Sequence, residues 1–148
     1  ELEQQDVALS TRVAYANGGE RRDAVYLSIH SNAIGNSSVG PSQSARGVSY
    51  YTSIGQTSSD AIATSLYAAA KEIIYPAMPI RSGDWSDGDI DAEANFYVLR
   101  KTAGPAVLGE VGFFTNITDA TFLDSAPGQQ RIARAYLQGV LPFVSQVD

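Results

Sequence analysis

Two apolar runs of strand length, "AVYLSIH" at 24–30 and "PAVLGEVGFFTN" at 105–116, are separated by a long stretch that contains a helical pattern. The first run is rich in Val, Tyr and Ile and bounded by turn residues, the pattern of a buried strand. The second predicts a strand over 106–108, with Glu110 at its C-terminal end between Gly109 and Gly112. A further strand is expected at "GVSYYTS", where Val48, Tyr50 and Thr52 alternate with Ser49 and Tyr51. Between these, "SSDAIATSLYAAAKEII" places Ile62, Leu66, Ala69 or Ala70, and Ile73 on one helical face and is ended by Pro76. "PGQQRIARAYLQGVLPFVSQ" sets Ile132, Tyr136, Val140 and Phe143 in helical register. At the start, Leu9, Val13 and Ala16 recur at helical spacing with Ser10 or Thr11 as cap, while "FYVLRK" fits a short strand or a turn of helix. Strands that alternate with helices imply an α/β fold, a mostly parallel sheet flanked by helices.

The totals narrow the partners. A chain of 148 residues with 44% hydrophobic content is of the size for one domain with a sizeable core. A net charge of -6, with only ten scattered Lys and Arg, argues against a nucleic-acid partner, whose nonspecific affinity comes mainly from clustered cations releasing counterions. No apolar run approaches the length of a membrane span. With no cysteine, a metal would have to be held by His, Asp or Glu.

The chain has a single histidine, His30, at the end of the first apolar run with Ser31 and Asn32 behind it. Open α/β sheets bind ligands in crevices outside the carboxyl ends of their strands, so His30 and Glu110 together would build a site for a metal-bound water and a base. From the residue pattern alone a lone histidine after an apolar strand is more often a hydrogen-bonded core or rim histidine, and Glu110 fits an exposed strand-end acid as well as a functional one. "DWSDGDIDAE" gathers Asp84, Asp87, Asp89, Asp91 and Glu93 and suits a hard cation, but it lacks EF-hand spacing and reads as a solvated acidic rim. No G-x-S-x-G elbow and no H-E-x-x-H helix is present.

"SIHSNA" at 28–33, "FYVLRKTAGPAVLGEVGFFTN" at 96–116, "QQRIARAYLQGV" at 129–140 and the opening "VALSTRVAYAN" resemble the zinc-dependent N-acetylmuramoyl-L-alanine amidases of the amidase-3 family. The resemblance runs from about Val7 to the last helix. It implies that His30 is a zinc ligand and Glu110 the catalytic acid/base, in an enzyme that cuts peptidoglycan between N-acetylmuramic acid and the L-alanine of the stem peptide. It also implies a further zinc-binding histidine, in a glycine-histidine-glycine turn, and a glutamate ligand upstream of the first helix. The 148 residues then read as an N-terminally incomplete amidase-3-like domain, whose remaining Zn2+ ligands are expected from that upstream segment. A catalytic zinc takes three protein ligands and a water.

Arg81 stands where the family often shows an arginine-glycine pair; with Asn32 and Asn116 it is a further candidate for muropeptide contact, structural capping being the more frequent use of such asparagines. Export to the periplasm, the cell surface or the extracellular space follows from the resemblance. The alternative is a non-catalytic peptidoglycan-binding module or inactive fragment of such an amidase. An incomplete sheet should also leave an uncovered edge through which copies self-associate.

Overall fold

A computed structural model describes residues 6–36, 40–41, 43–81, 83 and 88–144. In chain order, α1 (Leu9–Ala16) and a 3-10 turn (Gly19–Asp23) lead into β1 (Tyr26–Asn32). The two-residue strands β2 (Gly35–Asn36) and β3 (Gly40–Pro41) pair only with each other. Then come β4 (Val48–Thr52), α2 (Ser58–Ile73), β5 (Ala92–Glu93), α3 (Tyr97–Lys101), β6 (Ala106–Phe113), α4 (Ile117–Asp124), α5 (Ala126–Val140) and a closing 3-10 turn (Leu141–Phe143). The main sheet has the order β1-β6-β4-β5. β1 is parallel to β6 and β4 parallel to β5, but β4 is antiparallel to β6, so the sheet is mixed at its centre.

The period-two alternation of the strands sorts their side chains into two unequal cores. Val48, Tyr50, Val107 and Val111 face α2 and α5, packing with Ile62, Leu66, Ile74, Met78, Ala135 and Tyr136. The opposite face, with Ala106 and Leu108, meets the short α1 and α3 through Val13, Val98 and Leu99. Asn17 ties these two helices together, donating to the Lys101 carbonyl at 2.9 Å and accepting from the Ala103 amide at 2.8 Å. This second layer is thin and covers only part of its face.

Local chemistry explains where the elements begin and end. α2 starts at a capping box: the Thr57 hydroxyl accepts from the Ser59 amide and the Asp60 carboxylate accepts from the Thr57 amide. α1 is capped at Ala8 with no side-chain bond, so Ser10 and Thr11 lie inside the helix and do not cap it. "FYVLRK" forms helix α3. α4 carries no amphipathic pattern in its sequence; its start is set by Asn116, whose side chain accepts from the Thr118 and Asp119 amides. β6 runs on to Phe113 instead of ending near Leu108, because Gly112 adopts φ 73° and the pairing with β1 shifts register there, matching Asn32 to Phe113. Glu110 and His30 therefore lie within their strands, not at the last residue.

Among the described residues β1 has a strand on one side only. Ile29 on it is 58% exposed, and an open groove of about 450 Å³ beside it is lined by Val25, Leu27, Val140 and Phe143.

Candidate active site

His30 and Glu110 are register partners on the adjacent parallel strands β1 and β6, so their side chains leave the same face of the sheet. Ser49 of β4 is Glu110's partner on the other side. The segment at Ile80 forms a parallel bridge with Val48, and the Arg81 amide donates to the Val48 carbonyl at 2.9 Å, which sets Arg81 beside Ser49. Four neighbouring backbone segments thus bring His30, Glu110, Ser49 and Arg81 into one row across the face. The α1/α3 layer ends at Ser28 and Leu108, both buried, just short of this row.

The row is electrostatically uneven. His30 is exposed, and Ser28 Oγ lies 2.9 Å from its Nε2, a contact that orients the ring. Glu110 is half-buried, and its Oε2 is buried with no hydrogen-bond partner among the described residues. Burial raises the Glu110 carboxyl above the ordinary carboxylate range, and the neighbouring His30 opposes that rise. The Arg81 side chain is exposed; its guanidinium carbon stands 5.3 Å over the Phe113 ring and one nitrogen lies 3.4 Å from the Arg46 carbonyl.

The asparagines divide in role. Asn32 is half-buried on the His30 face, its side-chain oxygen accepting from the Ala33 amide at 2.8 Å. Asn116 is buried with both ends engaged: its oxygen caps α4 and its amide nitrogen donates to the Gln43 carbonyl at 2.8 Å. It is a structural cap. Its motif "NITD" also brings Asp119, which sequence reasoning missed. Asp119 is fully buried and accepts from the Gly47 amide at 2.8 Å, the Phe113 amide at 3.1 Å and the Arg46 guanidinium at 2.9 Å. The N-x-x-D spacing after a strand is a capping signal that was available in the sequence. The acidic stretch is no solvated rim: Asp91 is 1% exposed, while Asp84 and Asp87 lie outside the described residues.

A second groove, about 400 Å³, touches His30 and Ser31 from the α5 side and is walled by Ile29, Val111, Ile132 and Tyr136; it does not include Glu110. The donor chemistry fits part of a zinc shell. His30 offers the chain's only imidazole and Glu110 a facing carboxylate, but among the described residues no group of three His, Asp or Glu side chains includes His30.

Comparison with known proteins bears on the family and the fold. The family model described as Amidase_3, N-acetylmuramoyl-L-alanine amidase, matches residues 2–141. An uncharacterized cell wall amidase of Bacillus anthracis is 30% identical over 138 residues, covering 92% of this chain and 24% of that protein. The N-acetylmuramoyl-L-alanine amidase CwlM of Bacillus licheniformis is 51% identical over 47 residues, 32% of this chain and 19% of the relative. The chain thus spans a quarter or less of these two curated relatives. Among solved structures, the fold matches an N-acetylmuramoyl-L-alanine amidase from Clostridium difficile 630 with a TM-score of 0.78 at 24% identity, covering 97% of this chain and 68% of that one. AmiC2 of Nostoc punctiforme matches with a TM-score of 0.76 at 27% identity, over 94% of this chain and 67% of that one. With a family match over nearly its whole length and the fold of the solved members, the chain belongs to the Amidase_3 family of N-acetylmuramoyl-L-alanine amidases.

Proposed function

We propose that this chain carries the base and one zinc ligand of a peptidoglycan amidase that hydrolyses the bond between N-acetylmuramic acid and the L-alanine of the stem peptide. The observation that carries the reading is the register pairing of His30 with Glu110 on one open face. A bound zinc supplies a water of lowered pKa and polarises the scissile carbonyl. His30 would hold the metal through its imidazole, with Ser28 beside it to orient the ring. Glu110 is the proton carrier: burial raises its pKa and so makes its carboxylate a stronger base, suited to take a proton from the attacking water and return it to the leaving amine. Arg81, exposed at the end of the row, is suited to an anionic group of the muropeptide, and Asn32 flanks the opposite end.

The remaining zinc ligands would come from polypeptide outside these 148 residues, packing beside the unpaired edge of β1 next to His30. Two observations support this: the shortage of ligands around His30, and the greater length of the solved relatives. Action on wall polymer implies a site outside the cytoplasmic membrane.

The second reading, a wall-binding module without catalysis, is favoured by that same shortage of ligands. The test completes the chain with a strand-helix segment bearing a histidine and a glutamate ligand, then assays peptidoglycan for released stem peptides with a free L-alanine amine. Chelator-sensitive release restored by zinc supports the amidase. Muropeptide binding with no release, with or without zinc, supports the binding module.

A further inference from the structure

A second cluster lies away from the His30–Glu110 row. Asp60 sits in the first turn of α2, and Asp89 and Asp91 lie on the segment entering β5. One carboxylate oxygen from each comes within 4.8 Å of the other two. Asp91 lies beside Thr52, three residues along β4 from Ser49, about 10 Å at the rise of a strand. The cluster therefore does not share ligands with the His30–Glu110 row.

Three carboxylates in so small a space repel one another, and a folded protein offsets this with a cation or a proton. None of the three forms an ion pair with Lys or Arg among the described residues; the ion pairs there are Arg12–Asp6 and Arg46–Asp119. Asp91 adds an independent observation. It is 1% exposed; one of its oxygens takes the Thr52 hydroxyl, and the other, Oδ1, is buried with no hydrogen-bond partner among the described residues. A buried carboxylate oxygen left open beside two further carboxylates marks the place of a missing positive partner. Asp60 bonds the Thr57 amide and hydroxyl, and carboxylate oxygens retain lone pairs beyond one bond each.

We propose that Asp60, Asp89 and Asp91 form a divalent-cation site suited to calcium. The donors are all hard oxygens, with neither nitrogen nor sulfur to favour zinc. Calcium binds oxygens at about 2.3–2.6 Å, so ligands on opposite sides of one ion stand up to about 5 Å apart, the span of this cluster. The ion would pin the β5 approach to the start of α2. The Gly83 amide donates to the Ile90 carbonyl at 2.7 Å, which links the neighbour of Asp89 and Asp91 to the stretch that holds Arg81. The cation thereby fixes one flank of the His30–Glu110 face. This inference is independent of the proposed hydrolysis.

Thermal unfolding of the purified protein tests it, with calcium, with magnesium and with neither, alongside terbium luminescence sensitised by the neighbouring aromatic residues. Calcium at about a hundredfold over its Kd should raise Tm by roughly 5–10 °C. Terbium should bind and be displaced by calcium. Asp89→Asn, at a half-exposed position, should fold and lose both responses; Asp91→Asn should behave alike if it folds. No calcium-dependent shift, or an equal shift in Asp89→Asn, overturns the proposal, and an equal response to magnesium overturns the assignment to calcium. The rival balance is a proton shared by Asp89 and Asp91, since burial and Asp89 hold the Asp91 carboxyl up at about 7. With Asp60 and Tyr67 of α2 and Thr52 of β4 as its other neighbours, that arrangement would make Tm rise as pH falls and leave it indifferent to calcium. That result also overturns the site.

Discussion

The hydroxyl of Tyr136, on α5, occupies the space that a side chain at Gly109 of β6 would need. Tyr50 closes the same space from β4, its ring 5.9 Å from that of Tyr136 at 81°. The glycine immediately before Glu110 is therefore fixed by packing from the opposite face of the sheet. Gly109→Ala should destabilise the protein by about 1–3 kcal/mol, the cost of overpacking. Tyr136→Phe removes a buried hydroxyl that has no hydrogen-bond partner among the described residues, and should be neutral or stabilising. Combined with Gly109→Ala it should recover part of the loss. Denaturant midpoints of the four proteins decide this, and simple additivity would refute the steric coupling.

Glu110 contributes a pH dependence with a definite sign. Its folded pKa is raised, so the folded state binds the proton more readily than the unfolded chain. Its favourable contribution is fully present below the unfolded pKa and is lost as pH rises through the folded one. Glu110→Gln should thus raise Tm relative to wild type in mildly alkaline buffer, with the difference shrinking toward acid. In the completed domain the same substitution should lower the hydrolysis rate at least about a hundredfold while leaving zinc content unchanged. His30→Ala should reduce both. A Glu110→Gln protein that hydrolyses at the wild-type rate would place the base elsewhere.

Asp119 joins β6, the turn before β4 and α4 through three hydrogen bonds. Asp119→Ala leaves the Gly47 and Phe113 amides without their acceptor and Arg46 without its partner. The expected loss is about 3 kcal/mol, discounted because Arg46 reaches solvent. Urea denaturation measures it; a loss below half that figure would mean the loop relaxes to find other acceptors.

Among the described residues β1 is an edge strand of the sheet, and it carries the exposed Ile29. Edges of this kind pair with other chains unless charge or cover prevents it. The purified chain should associate with rising concentration in sedimentation experiments, and Ile29→Lys should reduce the association at little cost in Tm. A wild-type chain that stays monomeric at high concentration would show that this edge does not self-pair.

The sequence was most legible where local pattern and long-range packing agree. The α2 and α5 patterns, with Ile62, Leu66, Ile132 and Tyr136 on their inner faces, describe helices that pack on the larger core. The family resemblance around "SIHSNA" and "GEVGFFTN" is matched by a family model over residues 2–141. α4 was not visible because its residues carry no period; a cap and the end of β6 define it.

By itself the sequence determined the alternation of strands and helices, the identity of the chain's one imidazole, and the presence of a glutamate in the last strand, since these depend on residue type and spacing of neighbours. Tertiary structure decided the antiparallel insertion of β4 beside β6, which sets Ser49 next to Glu110. It also decided the bulge at Gly112, the burial of Asp91 in a stretch that reads as solvated, and the row of His30, Glu110, Ser49 and Arg81. Strand order and register come from pairing between residues far apart in the chain, 80 positions for His30 and Glu110, and short-range periodicity carries no information about which strand will lie beside which.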